Sequence, residues 1–281
     1  GKSVTILELA DNCLSLSYDP EFCTEMEELL TSRGIHVRTS SRVIGITGNG
    51  SVESVELADG TTVPAEVVIM GIGARANVKL AENAGLRLGL TGAVAVDRTM
   101  QTSDPAIFAC GDCAEKRSFF GGGPSNLKLA SIAQLEARIA GANVFSLRRE
   151  HDGTVGVWST AVGDMAMGTA GLTEIMARER GYQVVCATVE PINRHPGRMP
   201  GAVPTKVKLV FESHSQVLMG GQVRGSASVG EMINTVAACV QKRMTAEDIA
   251  MFQMGTHPAL TASPIAYPLV NAAELAISQM E

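Results

Sequence analysis

The chain has 281 residues, 45% hydrophobic and 19% charged, with 29 glycines and a formal net charge of −6; that length predicts two domains and pieces of a third, with ample material for buried cores. A net acidic chain is poorly suited to neutralise nucleic-acid phosphates, and 4% aromatics with Trp158 as sole tryptophan give no stacking platform for single strands. No run approaches the ~18 apolar residues of a membrane span, and six scattered cysteines without a signal peptide predict a soluble protein in a reducing, cytoplasmic setting.

The chain opens on Gly1-Lys2-Ser3 and passes directly into the apolar β-type run at residues 4–7, which ends in the acid Glu8. A strand so close to residue 1, with no initiator Met or targeting segment before it, is the expectation for the C-terminal part of a longer polypeptide. Asp19-Pro20-Glu21 starts a helix with Phe22, Met26, Leu29 and Leu30 at helical spacing, stopped by Gly34. Residues 35–38 and 42–46 follow as short strands. Residues 52–57 and 62–63 flank the turn Ala58-Asp59-Gly60 as a hairpin. Residues 66–70, fully apolar after Glu66, predict a buried strand ending in Gly71-Ile72-Gly73. This order is that of an α/β nucleotide-binding unit with an antiparallel insertion.

Residues 93–97 and 106–110 predict two further strands, and Leu129, Ile132, Leu135, Ile139 and Val144 mark one long helix from Lys128. The polar stretch 145–156 reads as a linker. Beyond it lie a helix at 173–180, a strand at 183–189, a hairpin from 206–211 to 222–223, a helix at 229–242 and a short helix opened by Thr245 as N-cap. This is an α+β domain of some 130 residues.

The string Thr102-Ser103-Asp104-Pro105-Ala106-Ile107-Phe108-Ala109-Cys110-Gly111-Asp112 carries the most chemistry. A strand ends at a glycine, where a ligand can approach the backbone, and the next residue offers a carboxylate to sugar-like hydroxyls. Alone, Gly-Asp is also an ordinary turn. The whole string resembles the second FAD-binding motif of the pyridine nucleotide-disulfide oxidoreductases. That resemblance implies that Gly111 and Asp112 hold the ribityl chain, and that the helix beginning at Leu129 and Ala130 points its free N–H groups at the flavin pyrimidine.

The opening strand resembles the second strand of the family's NAD-binding domain. In that register Glu8 binds the adenosine ribose hydroxyls and favours NADH over NADPH, and Gly71, Ile72 and Gly73 match the glycine turn beside the nicotinamide. From residue 150 the chain resembles the family's dimerisation domain, through Gly171-Leu172-Thr173-Glu174, His195-Pro196-Gly197-Arg198-Met199-Pro200 and Met244-Thr245-Ala246-Glu247-Asp248. These details look most like the NADH oxidase and coenzyme A-disulfide reductase branch, which implies a homodimer through residues 150–281. His257-Pro258 matches the family's His-Pro, which makes His257 the candidate proton donor. The following Ala259-Leu260-Thr261-Ala262 lacks the family's orienting glutamate, so a structural or exposed histidine is the alternative. His195 is read as structural. Cys110 and Cys113 form a C-x-x-C without a second ligand pair at zinc spacing, and are read as coincidental. No metal site is expected.

The fold expectation is therefore partial Rossmann-like NAD(P)- and FAD-binding domains at residues 1–85 and 86–149, followed by the α+β dimerisation domain at 150–281. No Gly-x-Gly-x-x-Gly phosphate loop and no redox cysteine beside the first flavin helix occur in the 281 residues. The function implied by the resemblance is electron transfer from NADH through FAD to a disulfide, a low-molecular-weight thiol species or oxygen as small-molecule acceptor. Without the phosphate loops, these residues on their own are expected to be inactive. The rival reading is a non-catalytic dimerisation or interaction module.

Overall fold

The computed structural model describes residues 1–281. In chain order the elements are β1 (Val4–Leu7), α1 (Pro20–Ser32), β2 (Ile35–Arg38), β3 (Val43–Thr47), β4 (Ser54–Leu57), β5 (Thr62–Pro64), α2 (Lys79–Asn83), β6 (Lys116–Arg117), β7 (Pro124–Ser125) and α3 (Ala130–Asn143). They continue with β8 (Val157–Val162), β9 (Met165–Gly171), α4 (Glu174–Glu179), β10 (Val184–Val189), β11 (Lys206–Glu212), β12 (Leu218–Gly225), α5 (Val229–Gln241), α6 (Ala246–Ala250) and α7 (Pro268–Met280). These form two compact units. One combines Gly1–Met70 with Val157–Glu281, and the other is Gly71–Gly156. The architecture is mixed α/β and α+β, as expected.

The first unit is built on a five-stranded antiparallel sheet in the order β10-β11-β12-β9-β8. Helix α5 packs on β8, β9 and β12, and α7 packs on β10, β11 and α6. Helix α5 buries Val229, Ile233, Val236, Ala237 and Val240, a stripe at helical spacing that faces the sheet. Near residue 1, β1 and β2 pair in parallel with Val4 opposite Ile35, and β3-β4-β5 form an antiparallel meander. Helix α1 starts with Pro at N1 and an acid in its first turn, both favourable at a helix N-terminus. It buries Phe22, Cys23, Met26 and Leu30 in a cluster that includes Tyr18 and Met167 of β9. Each large apolar side chain so buried contributes about 1.5–3 kcal/mol.

A buried polar network joins the same two segments. The Asp19 carboxylate accepts hydrogen bonds from the Glu174 and Ile175 N–H groups, each at 3.2 Å, and from Gln222 Nε2 at 2.6 Å. Asp19 N–H in turn donates to Gln222 Oε1 at 2.7 Å. Asp19 thereby caps α4, a helix some 155 positions downstream, together with the local N-cap Thr173. Lys208 Nζ lies 2.9 Å from Asp19, 2.6 Å from Glu21 and 2.8 Å from Glu174. Beside it, Glu25 pairs with both Lys206 and Arg224.

In the second unit α3 is the principal helix. Met100, Ile139 and Ala140 form its small core, with Val96, Phe108 and Cys110 packed against them.

Three expected strands do not form. Residues 66–70 have no ladder partner, and Val67, Ile69 and Met70 are exposed at 77%, 91% and 64%; an apolar run becomes a strand only where another backbone completes its hydrogen bonds. Residues 93–97 make only the isolated bridges of Val94 to Leu88 and Ala114, and 106–110 only that of Phe108 to Gln101. Conversely, β8, β9 and α7 have no counterpart among the elements expected from the sequence.

Candidate functional site

The residues around Asp112 are organised by a single 3-10 turn, Gly111–Cys113, packed against α3. Gly111 sits at φ +77°, a left-handed conformation that glycine adopts at little cost. The turn carries the Asp112 carboxylate to the surface, where no hydrogen bond or ion pair within the chain engages it. Helix α3 begins after Leu129, whose extended backbone offers no side-chain cap, and has no acid in its first turn. Its leading N–H groups are left without capping side chains, and the aligned peptide dipoles favour negative charge there. An unengaged carboxylate acceptor and uncapped helix donors therefore belong to one packed piece of structure.

Beneath the turn lies a buried ion pair that sequence reasoning does not single out. Glu136, in the second turn of α3, and Lys116, in β6, meet at 2.8 Å with side chains 0% and 2% exposed. The Glu136 Oε2 atom also accepts the Gly111 N–H at 2.8 Å. Glu136 falls on the inner face of the helix with Ile132, Ile139 and Ala140, and a carboxylate on such a face is the one sequence signal that could have exposed it.

Glu8, half-buried at the end of β1, accepts the Ala10 N–H through Oε1 at 2.8 Å. Its second carboxylate oxygen has no partner in the chain. Gly71, Ile72 and Gly73 form an exposed irregular segment in the other compact unit, with Ile72 at 83%.

His257 is exposed, and its loop is held by local hydrogen bonds. The His257 N–H donates to Thr261 Oγ1 at 3.0 Å, and Nδ1 accepts the Ala259 N–H at 3.2 Å. A backbone amide thus orients the ring where no carboxylate does, and it leaves Nε2 as the nitrogen open to a ligand. The His195 N–H donates to the Pro258 carbonyl at 3.1 Å, so the two His-Pro loops adjoin. A cavity of about 210 Å³ lies on the same side, lined by Asn193, Thr205, Leu260, Thr261 and Tyr267 among others.

All six cysteines are free. Burial pushes the Cys110 thiol above its ordinary value, away from the reactive thiolate, and Cys113 Sγ donates to the Cys110 carbonyl at 3.4 Å. Cys23 and Cys186 are raised further, each to about 12, chiefly by burial. No helix is long and apolar enough to cross a membrane.

Two family models match the chain. Residues 1–137 match "pyridine nucleotide-disulphide oxidoreductase", and residues 157–265 match the dimerisation domain of the same family. A Methanocaldococcus jannaschii protein named NADH oxidase is 29% identical over 100% of this chain and 61% of its own length. A CoA-dependent NAD(P)H sulfur oxidoreductase from Pyrococcus furiosus is 30% identical over 96% of this chain and 60% of its own. The chain thus spans about three fifths of these relatives. A solved NAD-dependent persulfide reductase from A. fulgidus superposes with a TM-score of 0.92 at 30% identity, covering 99% of this chain and 51% of that one.

Proposed function

Since the chain belongs to the pyridine nucleotide-disulphide oxidoreductase family, we propose that it works in a flavoprotein that passes electrons from NADH through FAD to a sulfur species or to oxygen. The observation that carries this reading is the Gly111–Cys113 turn seated on the uncapped start of α3. A group with hydroxyls that donate and a ring that gains negative charge on reduction fits that set, because Asp112 accepts and the helix N–H groups donate. When bound, FAD supplies the two-electron chemistry and the protein supplies position and electrostatics.

Each residue then has a defined task. Asp112 accepts hydrogen bonds from the ribityl hydroxyls, with Gly111 giving them access. Leu129 and Ala130, at the head of α3, would offer their backbone N–H groups to the flavin pyrimidine, at a helix end that favours negative charge. Glu8 accepts from the adenosine ribose of NADH through the oxygen that Ala10 leaves open, and its charge repels a 2′-phosphate. Gly71, Ile72 and Gly73 allow close backbone passage beside the nicotinamide. His257 presents its Nε2 to the acceptor, and delivering a proton from it requires the imidazolium, in which Nδ1 gives up the Ala259 N–H. In this scheme residues 1–85 serve NADH, 86–149 serve FAD, and 150–281 join two copies in a cytoplasmic homodimer.

The test is direct: the protein expressed from its native gene is purified, incubated with FAD, freed of unbound flavin and examined by visible absorption. Stoichiometric flavin that bleaches on adding NADH is the expected result, and a colourless protein would overturn the reading. The rival, a dimerisation module without catalysis, is favoured by the absence of any Gly-x-Gly-x-x-Gly in the 281 residues. It predicts a colourless protein that still sediments as a dimer.

A further inference from the structure

The Lys116–Glu136 pair occupies a place where ionic groups are costly. Removing two charges from water is offset only by good geometry and further hydrogen bonds, and apolar residues of similar volume often stabilise as well or better. The contacts of this pair converge on one residue. Lys116 Nζ donates to Glu136 Oε2 at 2.8 Å, to the Ala114 carbonyl at 3.0 Å and to the Gly111 carbonyl, which uses all three ammonium donors. Glu136 Oε2 takes the Gly111 N–H as well, while Oε1 is buried without a partner. Both polar groups of the Gly111 backbone are therefore held by the two members of one ion pair, and the next residue is Asp112.

From this geometry we infer that Glu136 and Lys116 are positioning residues for FAD. Resting on the flavin reading above, the inference assigns the pair the task of fixing the left-handed Gly111 turn, so that the Asp112 carboxylate is presented to the sugar-alcohol chain before the ligand arrives. Preorganisation of this kind raises affinity by removing the ordering cost of binding. Both side chains are buried beneath the turn and act through it.

The experiment uses the protein expressed from its native gene, stripped of flavin and titrated with FAD by fluorescence. It compares Lys116→Met, Glu136→Gln and the double variant, with melting temperature and amide hydrogen exchange over residues 110–114 recorded for each. Either single change is expected to speed exchange at 110–114 and weaken FAD binding by about 10- to 100-fold, equivalent to one hydrogen bond to a charged group. In the double variant the amide oxygen introduced at position 136 still accepts the Gly111 N–H, and the thioether chain introduced at position 116 fills the space without charge. The Gly111 carbonyl lacks its ammonium donor there, so exchange at 110–114 stays fast and FAD affinity stays at least about 10-fold below native although no unpaired charge remains buried.

Lys116→Met that binds FAD as the native protein does would overturn the inference, as would a folded double variant that binds FAD as tightly as the native protein. A fall in melting temperature with unchanged FAD affinity would assign the pair to the fold alone and also overturn it. Native protein that takes up no FAD would overturn the flavin reading itself, a failure distinct from that of a clamp variant in a flavin-binding protein.

Discussion

Lys208→Met tests how the segment before residue 70 is held to the antiparallel sheet. The substitution keeps the stem volume and removes an ammonium that contacts Asp19, Glu21 and Glu174 within 2.9 Å. Lys208 and Asp19 side chains are 6% and 1% exposed, so the variant leaves a buried carboxylate without its counter-charge. Breaking such a pair typically costs about 3–5 kcal/mol. Asp19 keeps three N–H donors, and Glu21 at 42% exposed is already screened, which places the expected loss near the lower end, about 3 kcal/mol. At the size of this unit that lowers the melting temperature by roughly 6–12 °C.

The pH dependence has a definite sign. Hydrogen bonding to Lys208 holds the Glu174 carboxyl at about 2 against burial, so Glu174 contributes stability that is present above its unfolded value of about 4.3 and lost as pH falls toward 2. Against burial, which lowers it, hydrogen bonds to its three carboxylates leave the Lys208 ammonium raised, so its contribution is complete below about 10.4 and is lost only at higher pH, through the raised folded value. The native-minus-variant difference, measured by urea denaturation, is therefore greatest between about pH 5 and 10 and shrinks on acidification. A difference under about 1 kcal/mol at pH 7, or one unchanged down to about pH 2.5, would refute the argument.

Gly171→Ala is expected to cost about 2–4 kcal/mol, because φ is +76° and the added Cβ would lie 2.3 Å from the Met219 carbonyl oxygen; a thermal melt within about 2 °C of native would contradict this. Thr245→Ala removes the capping box with Asp248 at the start of α6, a loss of about 1 kcal/mol that denaturant titration can read. On the flavin reading proposed above, His257→Ala in the flavin-loaded protein should lower turnover by at least about 100-fold without altering the flavin spectrum. Unchanged turnover would return His257 to a structural role.

Local rules make much of the fold readable. The spacing of Phe22, Met26 and Leu30 marks α1, Thr245 marks the start of α6, and the Asp59-Gly60 turn marks the meander, since each depends on neighbours within a few residues. Residues 66–70 have the composition of a buried strand, yet pairing is a property of two segments, and only one is present at that place. Strand β9, with the sequence MAMGTAG, lacks the β-branched run that marks strands and is held in the sheet by its packing. Helix α7 carries its own signal, Pro268 at N1. For the candidate site, Gly111 and Asp112 are visible as a motif. Their support is not, because Lys116 and Glu136 stand 20 positions apart and are joined only when β6 meets the inner face of α3.

The capping of α4 by Asp19 has a consequence for the order of events during synthesis. A helix of six residues is too short to persist alone in water, and one of its ends is completed by a carboxylate made some 155 residues earlier. Gln222 and Lys208, which lock that carboxylate, are made later still. The chain must therefore travel through the whole of Gly71–Gly156 before the first unit can close, a long-range closure of the kind that slows folding. Until β9 and α4 have left the ribosome, the Asp19 carboxylate has no helix end to cap and the apolar face of α1 is covered only by the neighbouring side chains of β1 and β2; until β12 follows, that carboxylate also lacks Gln222.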